Sequence, residues 1–265
     1  MVVEVNIVAK IIAIANQKGG VGKTTTAINL STCVAERGKK VLLIDIDPQG
    51  NATSGVGMVR QPTDKSVYDV LINEENMVNI IKPTVVKNLF ICPSSINLAA
   101  AEVELVPLMA RETRLKKAIE VLEEVQKYDY IFMDCPPSLG LVTLNAFAAA
   151  TSVLVPIQCE YYALEGLGQL VNTIKLVQKN LNPDLEIEGV VMTMYDSRTR
   201  LSAQVAEEVK KYFASKVFDT VIPRNIRLSE APSHGLPITI YDPLSKGART
   251  YKKLAKELLS NNKNK

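Results

Sequence analysis

The stretch that most constrains this fold is residues 11–26, IIAIANQKGGVGKTTT. It begins with four apolar residues, 11–14, as is typical of a strand buried on both faces of a parallel sheet. Gly19, Gly20 and Gly22 follow, and their lack of a Cβ lets successive backbone N–H groups approach an anion. The stretch therefore predicts a phosphate-binding turn between a buried strand and a helix.

The residues after the first glycines supply a cation and two hydroxyl groups where the predicted helix starts. Lys23 can reach the β- and γ-phosphates of a nucleotide, and the Thr24 hydroxyl is placed to bind Mg²⁺. Thr25 can donate a hydrogen bond to a further phosphate oxygen, and the backbone of Val21 belongs to the same turn. These residues predict a site for ATP and Mg²⁺.

One position departs from the usual phosphate-binding pattern G-x-x-x-x-G-K-[ST]. Gln17 stands where that pattern has glycine, and Lys18 follows it. The result resembles the deviant Walker A motif of the ParA/MinD group of P-loop ATPases, and NQKGGVGKTTTAINL is most similar to its ParA/Soj chromosome-partitioning branch. The resemblance implies an ATP-bound homodimer in which Lys18 reaches the partner's nucleotide. A cation supplied in this way neutralises charge on the transferred phosphoryl group.

Length and composition fit one soluble α/β domain. The chain has 265 residues, of which 47% are hydrophobic and 22% charged, as in ordinary globular proteins. We expect a P-loop fold with a mostly parallel, twisted sheet and helices on both faces, over residues 1–260, and a disordered polar tail at 261–265. No run approaches the roughly 20 apolar residues that cross a bilayer. The first ten residues lack a signal peptide's features, so we expect a cytoplasmic protein.

Apolar runs and helical spacing predict the remaining elements. Beyond the first, strands are expected at 41–46, 89–92, 130–134, 152–157, 187–194 and 217–222. Helices are expected at 24–37, 67–72, 98–105, 111–127, 141–150, 202–214 and 245–259, with another ending near 180. Turn formers fill 47–57, and the segment is too polar for the core, which predicts a loop on the rim of the active site. Residues 58–110 receive no functional role, and helix 141–150 fits either the core or a subunit contact.

Three aspartates lie at or just beyond the ends of predicted strands. Asp134, after an apolar strand, matches the Walker B position that holds Mg²⁺ directly or through water. In the family, DIDPQGNATSG resembles switch I, which implies that Asp47 orients the attacking water and adds to the Mg²⁺ site; a turn cap is the alternative. Asp45 is expected to hold loop structure. Pro136 and Pro137 stiffen the following loop, which resembles switch II.

Two further blocks resemble the partitioning branch. VIPRNIRLSEAPSHG implies that Pro223 and Asn225 lie beside the adenine, where an amide offers both a donor and an acceptor. QCEYYALEGLGQL brings Glu160, Tyr161 and Tyr162 near the dimer interface, or else contributes a buried tyrosine pair.

Positive charge is concentrated near the C-terminus. Residues 196–265 contain 14 Lys and Arg against 7 Asp and Glu, so they carry +7, and the first 195 residues carry −4, for a net +3. This asymmetry indicates a surface that faces a polyanion. Resemblance to the family's motifs implies DNA contact by Arg198 and Arg227, with Arg200 and Arg224 beside them. Each arginine alone fits a surface ion pair equally well.

The pattern excludes several classes and leaves three functions. Four separated cysteines and one histidine argue against zinc, redox and Ser-His-Asp chemistry. Resemblance implies a nucleoid-associated ATPase that binds double-stranded DNA non-specifically, because no base-reading module is apparent, and that a ParB-like protein stimulates. One alternative is a MinD-like membrane-positioning ATPase, for which Leu254, Leu258 and Leu259 offer only a short stripe, so no stable membrane association is expected. The other is a nucleotide-gated regulator of replication or transcription.

Overall fold

A parallel sheet forms the centre of the molecule. The computed structural model describes residues 9–61, 63–160 and 165–263. Within them the strands are β1 (Lys10–Ile14), β2 (Val41–Asp45), β3 (Lys82–Pro83), β4 (Leu89–Cys92), β5 (Tyr130–Asp134), β6 (Ser152–Gln158) and β7 (Glu186–Thr193). They form one seven-stranded sheet in the order β3-β4-β2-β5-β1-β6-β7 among the described residues. Every neighbouring pair is parallel except β3 and β4.

Helices cover both faces of this sheet. They are α1 (Lys23–Ala35), α2 (Asn51–Gly55), α3 (Val67–Ile72), α4 (Leu98–Glu104), α5 (Arg114–Val125), α6 (Leu141–Ala149), α7 (Glu165–Asn180), α8 (Arg200–Phe213), α9 (Ile226–Glu230), α10 (Ile238–Tyr241) and α11 (Lys246–Lys263). Adjacent residues of β5 face opposite sides: Phe132 packs in the core with Tyr251 of α11, and Met133 in the core with Phe147 of α6. The predicted fold class is therefore confirmed.

The register of the central strands brings their carboxyl ends together. Asp134 of β5 is aligned with Ile14 of β1 on one side and with Asp45 of β2 on the other. Ligands of open α/β sheets bind beyond this edge. The glycine turn after β1 and the aspartates of β2 and β5 consequently share one end of the sheet.

The prediction of a loop at 47–57 is correct for residues 47–50 and wrong for residues 51–55. Residues 51–55 form α2, and Ala52, Thr53 and Val56 are buried. The Asp45 carboxylate accepts hydrogen bonds from both the backbone N–H and the hydroxyl of Thr53, so the polar groups of this segment are satisfied inside the fold. Polarity alone therefore misplaced it outside the core.

The predicted strand at 217–222 is also wrong. The segment and the residue after it form two isolated bridges, Val217 with Val190 of β7 and Pro223 with Tyr195, which lies two residues beyond the end of β7. Between them the backbone N–H groups of Asp219 and Thr220 donate to the Glu257 carboxylate of α11. A side chain thus takes the donors that a continuous ladder would use.

The C-terminal helix is longer than predicted and packs into the core. α11 continues to Lys263, so residues 261–263 are helical where a disordered tail was expected, and Asn262 lies beside the Tyr130 hydroxyl. Leu254 and Leu258, the stripe weighed for membrane binding, are fully buried against α1. No helix in the described part of the chain combines the length and apolarity needed to cross a bilayer.

Candidate nucleotide-binding site

The glycine turn adopts the backbone that the sequence predicted. Gly20 and Gly22 have φ of 73° and 86°, a region that residues with a Cβ rarely adopt. No side chain caps the N-terminus of α1, and its first turn has no acidic residue. The first N–H groups of a helix lack intrahelical partners and carry its positive dipole end. The turn therefore offers donors for an anion.

Two buried side chains hold this turn in place. The Asn16 amide donates to the carbonyl oxygen of Pro156 (2.7 Å), and its own oxygen accepts from the Lys18 backbone N–H (3.0 Å). The Thr193 hydroxyl donates to the carbonyl oxygen of Val21 (2.8 Å). Both contacts connect the turn to β6 and β7, so residues beyond the turn hold its conformation.

Lys23 lies inside the turn. The residue is only 7% exposed, and its ammonium group donates to the carbonyl oxygen of Lys18 (3.0 Å). Burial lowers the pKa of Lys23, and the charge of Asp134 opposes that shift. A buried cation beside orphan N–H groups is the arrangement that a polyphosphate would complete.

Asp134 carries a buried carboxylate at the end of β5. It is fully buried, and within the described residues its oxygens make no hydrogen bond of regular geometry, although the Thr24 side chain lies close enough to interact with them. Burial raises the pKa of Asp134 well above its ordinary value, the Asp45 carboxylate raises it further, and the facing Thr24 side chain partly offsets the rise. A buried carboxylate beside a hydroxyl fits the oxygen donors that Mg²⁺ prefers.

Asp45 and Asp47 have different environments although they are two residues apart. Asp45 is fully buried and accepts from Thr53, and burial raises its pKa to about 6. Asp47 is partly exposed; its carboxylate accepts from the Gln49 backbone N–H (3.0 Å). Asp45 thus holds the loop, as predicted. Asp47 bonds within the turn, on the part of the loop that faces the carboxyl ends of the strands.

Most of the predicted phosphate and metal residues line a common cavity of about 580 Å³, but Lys18, Val21 and Asp134 are not part of its lining. Its walls come from the glycine turn, the start of α1, the loop after β2 and the loop after β5. The lining residues are Gly19, Gly20, Gly22, Lys23, Thr24, Thr25, Asp47, Pro48, Gln49, Asn51, Ala99, Pro136, Pro137, Ser138 and Met194. Among the described residues, no group of three or more His, Cys, Asp and Glu side chains is placed to bind a metal ion.

A second cavity of about 220 Å³ adjoins the first, and both are lined by Gly22, Thr25 and Met194. Pro223 and Asn225 also line it, and the Asn225 side-chain oxygen is buried without a hydrogen-bond partner among the described residues. An open acceptor of this kind suits an exocyclic amino group.

Lys18 lies at the rim with an acidic neighbour. Its ammonium group is 3.9 Å from the Glu160 carboxylate, which is also 3.6 Å from the Arg224 guanidinium. The side chains of Lys18 and Arg224 are 35% and 64% exposed. Lys18 therefore faces solvent beside the cavity, where a second molecule can be reached. Tyr161 and Tyr162 lie outside the described residues.

The four arginines proposed for DNA contact lie on two surface segments. Arg198 forms an ion pair with Asp196 (2.7 Å), whose pKa is lowered mainly by Arg198 and further by Arg224. Arg200 is the exposed first residue of α8. Arg227 on α9 pairs with Glu230 (2.9 Å) and lies 3.5 Å from Asp242. Exposed pairs of this kind contribute little stability, so phosphate can replace the carboxylates.

Several residues that hold the loops of the site by hydrogen bonds were not predicted from the sequence. The Ser94 hydroxyl donates to the Asp47 carbonyl oxygen. The Glu102 carboxylate accepts from the backbone N–H groups of Leu141 (2.7 Å) and Val142 (3.3 Å) at the start of α6. Asn16 had a local signal, since an Asx residue after a buried strand often fixes a turn. The others had none.

Similarity to known proteins identifies the family of this chain. The AAA domain family model matches residues 9–187. The Sporulation initiation inhibitor protein Soj of Bacillus subtilis is 62% identical over 252 residues, which are 95% of this chain and 99% of that protein. The chain belongs to the ParA/Soj family. Another relative, the Chromosome partitioning protein ParA of Myxococcus xanthus, is 53% identical over 95% of this chain and 88% of its own length.

Solved structures agree with this membership of the ParA/Soj family, within the ParA/MinD superfamily of P-loop ATPases. Cobyrinic Acid a,c-diamide synthase from Mycobacterium smegmatis, crystallised with a bound ATP analog and magnesium, has a TM-score of 0.84 and 38% sequence identity. The alignment covers 97% of this chain and 96% of that one. The likeness therefore extends over nearly the whole of both chains.

Proposed function

We propose that this chain is a Mg²⁺-dependent ATPase that converts ATP and water to ADP and phosphate, and that partitions chromosomes or plasmids. The observation that carries the proposal is the convergence of the glycine turn, Lys23 and the buried Asp134 carboxylate at one edge of the sheet. Relatives named for chromosome partitioning support the biological role.

Each part of the nucleotide has a proposed position. The N–H groups of residues 19–25 and the Lys23 ammonium group bind the phosphates. The adenine occupies the second cavity, where Asn225 accepts from its amino group and Pro223 contributes backbone. Because Gly22 and Thr25 line both cavities, a single ligand can span them.

Hydrolysis requires a positioned water molecule and stabilisation of negative charge. Thr24 and Asp134 would hold Mg²⁺, with Asp47 nearby, and the bound ion would neutralise negative charge on the phosphates. The Asp47 carboxylate orients the attacking water, since it belongs to the cavity wall. Lys23 supports the terminal phosphate from its own subunit.

We propose that Lys18 acts on the nucleotide of a second copy. Its partly exposed side chain lies at the rim, paired only weakly with Glu160. Two copies that face each other across their nucleotides exchange this lysine, and the ATP-bound state is then a homodimer. Dimerisation also doubles the arginine surface, so two weak DNA half-sites become one avid site.

DNA binding is assigned to Arg198, Arg200, Arg224 and Arg227, which are exposed. Backbone recognition makes the binding non-specific and sensitive to salt. We propose that the dimer stays on the nucleoid in the cytoplasm until a ParB-like partner stimulates hydrolysis. Membrane positioning is disfavoured because the leucines that would insert are core residues of α11.

The test combines size-exclusion chromatography with activity. Wild type is run with and without ATP, Mg²⁺ and non-specific duplex DNA, beside Lys18→Ala and the matched surface control Lys127→Ala. We expect ATP to shift wild type and the control to a dimer that binds DNA, and Lys18→Ala to stay monomeric with its ATPase rate at background. A Lys18→Ala protein that dimerises and hydrolyses ATP at the wild-type rate would refute the proposal.

A further inference from the structure

Thr193, the last residue of β7, contacts the phosphate-binding turn directly. Its side chain is buried, and its hydroxyl donates to the Val21 carbonyl oxygen (2.8 Å). Its methyl group faces Gly22, since a Cβ placed on that glycine would lie 3.8 Å from the Thr193 Cγ2. The conformation of the turn at Val21 and Gly22 therefore depends on where the end of β7 lies.

Met194 continues the chain from Thr193 in a strained backbone conformation. Its φ is 51°, in the left-handed region that residues with a long side chain seldom adopt. Such a conformation persists only where the surrounding structure holds it. Met194 also lines both the phosphate cavity and the second cavity. A ligand in either cavity would thus lie against a residue whose backbone is already constrained.

Tyr195 joins the two segments that carry the arginines assigned to DNA. Its backbone N–H donates to the Ile222 carbonyl oxygen (3.1 Å), and its own carbonyl oxygen accepts from the Arg224 N–H (3.2 Å). Arg198 lies three residues further along the same loop, where its guanidinium pairs with Asp196 (2.7 Å). The contact with the phosphate turn and the contact that joins the arginine segments are therefore made by residues only two positions apart.

We propose that Thr193 is a positioning residue through which DNA on the arginine segments alters the affinity of the phosphate turn for ATP within a single subunit. This inference rests on the proposed function, from which it takes both sites. It goes further, because the avidity of a dimer needs two subunits, whereas this connection is complete in one. Coupling between two ligands is reciprocal, so ATP must change the affinity of that subunit for DNA by the same factor.

The test uses Lys18→Ala, which the proposed function predicts to be monomeric. A fluorescent ATP analogue is titrated with Mg²⁺ in low salt, with and without a short DNA duplex, and sedimentation velocity measures the number of subunits in each complex. DNA that holds the arginine segments should keep Thr193 against the turn, so we expect the duplex to lower the dissociation constant of the analogue about fivefold. The reciprocal titration should show the same factor for the duplex.

Substitutions of Thr193 in this monomeric background separate positioning from folding. Thr193→Val keeps the shape but leaves the Val21 carbonyl oxygen without its donor, so we expect the analogue to bind about tenfold more weakly and the duplex to have no effect on it. Thr193→Ser retains the hydroxyl and should restore the effect. Thr151→Val is the matched control, because the Thr151 hydroxyl also donates to a distant backbone carbonyl oxygen, that of Ile11 (2.7 Å), at the amino end of the strands. It should keep the effect of the duplex.

Several results would overturn the inference. They are a monomer that does not bind the duplex in low salt, an analogue affinity that the duplex leaves unchanged, coupling that persists in Thr193→Val, and equal loss of coupling in Thr193→Val and Thr151→Val. The first two need no substitution of Thr193, so they decide the matter even where Thr193→Val fails to fold. A Lys18→Ala protein that sediments as an ATP-bound dimer refutes the proposed function itself, and the inference that rests on it falls too.

Discussion

At the scale of single residues, burial lowers the pKa of a basic group and raises the pKa of acidic groups within the same site. Burial lowers the pKa of Lys23 and raises those of Asp134 and Asp45. Each shift disfavours the charged form. A bound phosphate would favour charged Lys23 and a bound cation ionised Asp134, so the site is more stable with its ligands than without them.

Asp134→Asn should change how stability depends on pH in the nucleotide-free protein. The folded-state pKa of Asp134 lies above its unfolded value, so its contribution is present at low pH and is lost as pH rises through the folded pKa. Asparagine has no such loss. We expect the variant's advantage in unfolding free energy to grow from pH 5.5 to 8.5, reaching about 1–3 kcal/mol, measured by urea denaturation without Mg²⁺.

The matched control for that series is Asp129→Asn, which changes a partly exposed aspartate outside the cavity. It should not reproduce the growing advantage expected of Asp134→Asn. An advantage of Asp134→Asn that shrinks as pH rises would contradict the assigned environment. With ATP and Mg²⁺ present, wild type should gain stability and Asp134→Asn should gain little.

Asp47→Ala should uncouple dimerisation from turnover. The substitution removes the carboxylate proposed to orient water but keeps the backbone carbonyl that Ser94 contacts. We expect kcat to fall by about 10²-fold or more while the ATP-bound dimer persists and accumulates on DNA. Phosphate release and size-exclusion chromatography measure the two effects, and normal turnover would remove Asp47 from the reaction.

At the scale of elements, the sequence pattern predicted those strands and helices whose bounds depend on residues close together in the chain. The bounds of β4, β5 and α3 match their predicted ranges, because continuous apolar runs and a helical stripe determine them. The segment 217–222 has the composition of a strand, yet Glu257 of α11 takes two of its N–H donors. An acceptor that lies 37 or more residues away in the chain cannot be recognised in a short window of sequence.

The candidate site divides in the same way. The glycine turn, Lys23 and Asp134 were predicted because a strand followed by a particular residue type identifies them. Thr193 and Glu102 were not, since Thr193 contacts Val21 across 172 positions and Glu102 contacts Leu141 across 39. Residues that shape a site through long-range contacts become visible only when the fold is known.

Glu102→Ala should affect the loop after β5 through α6. Loss of the cap leaves the Leu141 and Val142 N–H groups without their acceptor, which should cost about 1 kcal/mol of stability. Because this helix starts beside Pro136 and Pro137, we expect kcat to fall roughly tenfold with KM nearly unchanged. Urea denaturation and steady-state ATPase assays measure the two effects.

Glu104→Ala is the control for this change, because Glu104 lies on the same helix and accepts from the Tyr68 hydroxyl instead. It should keep wild-type kcat. Glu102→Gln retains one acceptor oxygen and should recover part of the loss. Equal effects of Glu102→Ala and Glu104→Ala on kcat would show that α4 matters only for stability.

At the scale of the whole molecule, the phosphate cavity and the excess of positive charge come from different parts of the chain. The excess of positive charge lies in residues 196–265, whereas the phosphate cavity is built mainly from the first 140 residues. Arg224 connects the two, because it lines the second cavity and approaches Glu160 beside Lys18. The proposed adenine position and the basic surface are thus neighbours that share Arg224.

Arg198→Ala and Arg227→Ala should each weaken DNA binding without affecting ATP-driven dimerisation. Each removes one cation per subunit from the DNA-facing surface, so the slope of log affinity against log salt should fall by about 0.9 for each phosphate that is no longer neutralised. Fluorescence anisotropy on duplexes of two unrelated sequences measures this. Lys82→Ala, at the far edge of the sheet, should bind like wild type, and unchanged binding of both arginine variants in low salt would refute the assignment.

The short outer strand β3 has a consequence for assembly. Lys82 and Pro83 are both exposed, and they pair antiparallel with β4 over only two positions. A proline and a lysine at such an edge leave no template on which a neighbouring chain could add a strand. Residues 217–222 run beside the opposite edge at β7. A strand from another molecule would therefore find little free backbone to pair with at either edge of the sheet.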